Sequence, residues 1–138
     1  MSKINLNVGD EFSITKTIFQ TDTYLFAGIT EDFSPYHTNV EFVKEQGYER
    51  LLVHGALSFS FSSSLAFHAQ KKSGQPAVSY GYDHVRFVNP LFIGDTLTST
   101  YTITKIDEID NKTYAEVKGT NQDGKVIFVC THILKFLI

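Results

Sequence analysis

The chain has 138 residues, 42% hydrophobic and 20% charged, with only 3 Pro and 9 Gly, which excludes a disordered or collagen-like chain and predicts one compact domain over residues 1–138. Twelve Lys plus Arg against 15 Asp plus Glu leave a formal net charge of −3, which argues against nucleic acid as a partner. The single cysteine, Cys130, excludes an internal disulfide and a thiolate-rich zinc site; with no signal-peptide core in Met1–Asn7 and no run near 18 apolar residues, the expectation is a cytoplasmic protein with no membrane partner.

In chain order, Val8-Gly9-Asp10 reads as a turn feeding a strand, and Thr21-Asp22-Thr23 as the cap of a short helix running to Gly28. Asp32-Phe33-Ser34-Pro35-Tyr36-His37 reads as a stiff, non-helical turn, because Pro35 fixes its own φ and biases Ser34 away from helix. Val40 to Gln46 is predicted as a helix stopped by Gly47.

Gly55 to about His68 is the ambiguous stretch. Leu57-Ser58-Phe59-Ser60-Phe61-Ser62 alternates with the period of a strand, yet Leu57, Phe61 and Leu65 recur at i, i+4, i+8, with Ala56, Phe59, Ser63 and Ala66 on an adjoining face. Its length favours a helix, apolar or small on nearly every side and therefore buried. The remainder is β in character. Val78–Val88, Thr96–Ile103 after the Ile93-Gly94-Asp95 turn, Thr113–Thr120 and Val126–Leu137 are predicted strands, the last two an antiparallel hairpin across Asp123-Gly124. A curved antiparallel sheet wrapped around the helix supplies the cover that helix needs.

The densest chemical signal is Asp32 and His37, a carboxylate and an imidazole five residues apart across a proline, able to converge on one water. Spacing alone leaves two readings open: an acid–base pair, or an Asx-turn beside an ordinary histidine. Val53-His54-Gly55 follows, just before the predicted helix. Glycine there admits close approach, so the Gly55 N–H is either an oxyanion donor or part of a simple turn. His54 is expected to make a structural hydrogen bond through its ring, and Cys130, in an apolar strand, to be an inert buried thiol. His68 and His84 have no readable partner. Arg86 reads as a solvated strand arginine and Lys71 and Lys72 as a solvated helix end. The 12 Phe and 7 Tyr supply core and pocket wall alike.

Three blocks in order, Ala27–His37, Val53-His54-Gly55 and Arg86–Leu97, resemble the MaoC-like hydratases, which include the (R)-specific enoyl-CoA hydratases of the hotdog fold. The resemblance implies an α+β hotdog, a curved antiparallel sheet around one long helix, commonly a homodimer. It implies Asp32 and His37 as the catalytic dyad, Gly55 as the oxyanion-hole N–H and Ser63 as a supporting hydrogen-bond residue, with Ser62 and Ser64 one position away. The implied reaction is hydration of a trans-2-enoyl thioester to a 3-hydroxyacyl thioester, the (R) form. Coenzyme A is then part of the substrate, and no metal or other cofactor is expected. Two positions depart from the pattern: Asn39, where many members carry Asp, and Ala56, where Met is frequent. The competing readings are a hotdog thioesterase, with Asp32 directing water at the carbonyl, and a non-catalytic acyl-thioester-binding module.

Overall fold

The computed structural model describes residues 3–138. β1 (Glu11–Thr17) is followed by helices α1 (Gln20–Thr30), α2 (Pro35–Thr38), α3 (Val40–Glu45), α4 (Gly55–Ser60) and α5 (Ser62–Ser73), then strands β2 (Ala77–Phe87), β3 (Thr96–Asp107), β4 (Lys112–Thr120) and β5 (Val126–Phe136). The strands form one antiparallel sheet in the order β1-β3-β4-β5-β2. All the predicted strands are present, and the β4–β5 hairpin closes on Gly124 at φ 77° while the Asn121 carboxamide oxygen accepts the Asp123 and Lys125 N–H groups.

Register shifts curve the sheet. β2 slips against β5 between Ser79 and Gly81 and again between Asp83 and Arg86, with His84 at φ 56°; such bulges bend a strand and increase its twist. Inside the curve lie Leu97, Tyr101, Ile103, Ala115, Val117, Ile127 and Phe128, packed on Leu65, Ala66 and Ala69 of α5. Gly119 is a place where only glycine fits, since a Cβ there would stand 2.2 Å from the Phe128 ring.

The central helix is present but differs from expectation in two ways. It runs on to Ser73 and is interrupted at Phe61, giving α4 and α5 in succession. The serines explain the break: Ser58, Ser60, Ser62 and Ser64 donate their hydroxyls to the carbonyls of Gly55, Ala56, Phe59 and Phe61, three or four residues back, and such back-bonding bends helices. Burial, expected all round, covers one stripe. Ser58, Ser62, Leu65, Ala66, Ala69 and Ser73 face the sheet, whereas Phe67 is 58% exposed and Ser63, Ser64 and His68 face outward.

Two further expectations need correction. α1 starts at Gln20 with Phe19 as its N-cap, and the Asp22 carboxylate reaches back to the Phe19 N–H; the helix passes Gly28 to end on Glu31 in the left-handed conformation. The turn holding Asp32 and His37 is partly helical. Ser34 is extended, as the following proline requires, but Pro35 opens the single turn α2, because at the first helical position its missing N–H is not needed.

The sheet core contains a buried polar chain. His132 of β5 is fully buried, with its Nδ1 2.8 Å from the Tyr101 hydroxyl and its Nε2 2.7 Å from Ser79 Oγ. Burial pulls this imidazole down to about 4 from its ordinary 6.5. A depressed histidine favours the fold above the unfolded-chain value, and that contribution fades as pH falls from 6.5 toward 4, by at most about 3 kcal/mol. Urea unfolding of wild type and His132→Gln at pH 7 and pH 4.5 should show a markedly smaller acid loss in the variant. Equal losses would remove His132 as the cause.

Candidate active site

The second strip of structure that matters is not a helix but the extended segment 51–53. Leu52 forms an isolated antiparallel bridge with Phe92; the Val53 N–H donates to the Leu91 carbonyl, and the Ile93 N–H to Leu51. On its other side the Leu52 N–H donates to the Tyr36 carbonyl at 2.9 Å, and the Leu52 carbonyl accepts the His37 Nδ1–H at 2.8 Å. This reciprocal pair fastens α2 to the segment leading into α4. It also fixes the neutral tautomer of His37, since donation from Nδ1 leaves Nε2 as an acceptor.

His37 Nε2 lies 3.9 Å from Asp32 Oδ2. That is too long for a direct hydrogen bond, and it suits two acceptors that share the two protons of one water. Asp32 is held at three points: its N–H donates to Thr30 Oγ1, its Oδ1 accepts the Ser34 N–H at 3.2 Å, and its carbonyl accepts the His54 Nε2–H at 2.9 Å. The Asx-turn is therefore present, using Oδ1 and leaving Oδ2 toward the imidazole, so it does not preclude an acid–base pair. The Asp32 side chain is 51% exposed and that of His37 14%.

Burial lowers the proton affinity of His37; the hydrogen bond to Leu52 raises it, neighbouring His54 lowers it, and Asp32 raises it, with a net shift below the ordinary 6.5. The ring is therefore neutral near pH 7. Its face stacks on His54, centroids 3.8 Å apart.

Gly55 is the first residue of α4, and its N–H has no helical partner of its own. A Cβ there would meet the Phe87 ring at 3.0 Å, so glycine is what allows these surfaces to close. Gly55 and His37 line one cavity of about 430 Å³ with Tyr36, Tyr48, Leu52, Val53, Ser58 and the run Phe87–Leu91. All three sequence blocks thus meet in one place. Ser63 does not line this cavity. It is exposed and borders a second cavity of about 160 Å³ with Ser79, Tyr82 and His132. The serine beside the dyad cavity is Ser58, which the sequence reading missed; its hydroxyl donates to the Gly55 carbonyl at 2.6 Å. Ser62 is buried and bonds to the Tyr82 hydroxyl at 2.9 Å.

Asp32, His37 and His54 offer ligand atoms within 4.8 Å of one another. His37 Nδ1 and His54 Nε2 are committed to backbone carbonyls, and two rings stacked at 24° direct their remaining nitrogens along nearly parallel planes, a poor aim for one tetrahedral ion. Asn39, one of the two departures noted above, caps α3 by accepting the Phe42 N–H at 3.1 Å. Cys130 is buried, and burial pushes its thiol up to about 11, as expected of an inert packing residue.

The family described as MaoC like domain matches residues 5–125. This chain belongs to the MaoC-like family. It is 32% identical over 124 residues to the (R)-specific enoyl-CoA hydratase of Rhodospirillum rubrum, covering 89% of this chain and 83% of that protein. A second (R)-specific enoyl-CoA hydratase, from Aeromonas caviae, is 32% identical over 108 residues, 78% of each chain. The solved structure of an A. caviae (R)-hydratase involved in PHA biosynthesis aligns with a TM-score of 0.85 at 27% identity, covering 94% of this chain and 96% of that one. The curved sheet and central helix of this MaoC-like protein are the expected α+β hotdog.

The tautomer and the downward shift of His37 are directly measurable. Imidazole NMR should show Nδ1 protonated in the neutral ring and a titration midpoint below 6.5. A midpoint above 6.5 would mean that the Asp32 and Leu52 interactions outweigh burial.

Proposed function

We propose that this MaoC-like protein hydrates trans-2-enoyl-CoA to (R)-3-hydroxyacyl-CoA, and reversibly dehydrates the product, as a hydro-lyase. The observation that carries the reading is the 3.9 Å pairing of His37 Nε2 with Asp32 Oδ2, His37 lining the aromatic-walled cavity and Asp32 lying outside its lining. Neutral His37 orients the water through Nε2. Asp32 takes a proton from it as its oxygen attacks C3, and the proton is passed on to C2, so that one water is added in full. The Gly55 N–H stabilises charge on the thioester oxygen. The names carried by the R. rubrum and A. caviae relatives support both the thioester and the (R) configuration. Ser63 keeps the supporting role implied by the family only if a substrate or a second subunit bridges it to this cavity; Ser58 is the better placed serine within one chain. Coenzyme A enters as part of the substrate, and these proton transfers require neither a metal nor a redox cofactor.

The working form is a homodimer. Of the two sheet edges, β1 exposes Glu11, Ser13, Thr15 and Lys16, whereas β2 exposes Val78, Tyr80 and Phe87 among the polar Ser79, Asp83, His84 and Arg86 and runs on into exposed Val88. An unpaired edge with exposed apolar side chains invites a second copy, and this edge runs into the cavity wall at Phe87. Sedimentation velocity should give twice the chain mass; a single-chain mass would remove this part.

Loss of absorbance of a conjugated enoyl-CoA, without release of free thiol, identifies the reaction. Asp32→Asn and His37→Ala should each lower it by about 10²–10⁴-fold at unchanged melting temperature. Free-thiol release would instead select a thioesterase, and binding without turnover a non-catalytic module.

A further inference from the structure

His54 is absent from the proton transfers above, yet it touches every element that supplies them. Its side chain is 2% exposed. Its Nε2–H donates to the Asp32 carbonyl at 2.9 Å, its face covers the His37 ring at 3.8 Å, and its edge meets Phe26 of α1 at 5.0 Å. It is also the N-cap of α4, immediately before Gly55, and its carbonyl accepts the Ser58 N–H. Nδ1 is buried with no hydrogen-bond partner. Packing alone gives no reason to bury that nitrogen unpaired; a histidine held by its Nε2–H to the Asp32 carbonyl and by its face on His37 leaves Nδ1 where no partner reaches it.

We infer that His54 is a positioning residue for hydration, whose Nε2–H pins the backbone of Asp32 so that its carboxylate stays at water-sharing distance from His37. The inference rests on the hydratase reading and deepens it. Asp32 lies on a two-residue link, with Phe33, between the left-handed Glu31 and the extended Ser34. Its side chain is half exposed, and the Ser34 N–H that reaches Oδ1 belongs to the same short turn. The hydrogen bond at its carbonyl is the contact that ties this link to the start of α4, across 22 residues. Displacing such a group by about 1 Å costs on the order of 10²-fold in rate.

The test separates donor from ring. His54→Gln keeps an N–H near the Nε2 position, His54→Phe keeps the ring without the donor, and His54→Asn places its amide too short to reach. With enoyl-CoA, His54→Phe and His54→Asn should lose about 10–100-fold in kcat with KM within about 3-fold, and His54→Gln should stay within about 5-fold of wild type. Should His54→Phe not fold, the Gln and Asn pair decides. Amide hydrogen exchange at Ser34 and His37 gives a readout that needs no turnover: it should quicken by about tenfold or more in the Phe and Asn variants and stay near wild type in Gln. Wild-type kcat and exchange in Phe and Asn, or equal losses in Gln and Asn, would overturn the role of His54. Absence of hydration by the wild type would sink the hydratase reading alone, the exchange data still deciding whether Asp32 is pinned.

Discussion

The site depends on the two hydrogen bonds made by one residue that carries no chemistry, Leu52. Its N–H holds the Tyr36 carbonyl and its carbonyl holds His37 Nδ1, while its neighbours are laced to Leu91 and Ile93. An extended strip bonded on both sides is stiffer than the loops it joins. A histidine anchored to it inherits that stiffness, which is how a residue in a four-residue helix becomes a fixed point. The same strip delivers the chain to Gly55, so the imidazole and the helix start are positioned by one segment.

Behind that strip, a buried carboxylate keeps the other side in place. Asp95 is 2% exposed and accepts the Phe92 N–H, the Gln122 amide and an Arg50 N–H. Burial works to raise its proton affinity, but the Phe92 N–H, Gln122 and Arg50 together hold its carboxyl below the ordinary carboxylate range. Its backbone carbonyl takes the Ile18 N–H, and the Gly94 N–H returns to Ile18, so the chain leading into α1 is bound to the turn before β3. A buried charge with three donors organises its surroundings because losing any one of them is costly. The three sequence blocks are therefore joined by the Val53 N–H to Leu91 and the His54 Nε2–H to Asp32 as well as by apolar contact.

Much of this was legible in residue types. The strands announce themselves by β-branched and aromatic runs between Gly-Asp and Asp-Gly turns, and Gly47 and Gly124 sit at positive φ where helix and hairpin end. The less legible parts share a cause, which is competition between local signals. Serines at alternate positions imitate a strand, yet their hydroxyls satisfy carbonyls one turn back, so the segment is helical and broken at once. Pro35 constrains the residue before it and starts a helix itself. Ser58 could not be told from Ser63 because both are small residues of one helical segment, and which of them faces the dyad cavity depends on where the interruption at Phe61 falls. The Leu52 bonds use only backbone, and backbone hydrogen bonds leave no residue-type signature.

What remains open to solvent in a single chain argues for how the site is completed. Asp32 is half exposed, and Leu25 and Ile29 of α1 and the adjoining Phe33 are exposed apolar side chains, Ile29 at 74% exposure. Solvent at such a carboxylate competes with the one water the reaction needs, and a site open to bulk water weakens every interaction within it. Covering these residues with substrate or with a second subunit would exclude the competing water while leaving the Asp32–His37 pair, whose anchors are all internal, undisturbed. On the proposed reading, assembly and catalysis would answer to the same requirement: the anchors of Asp32 and His37 lie within the chain, and the exclusion of competing water would come from outside it.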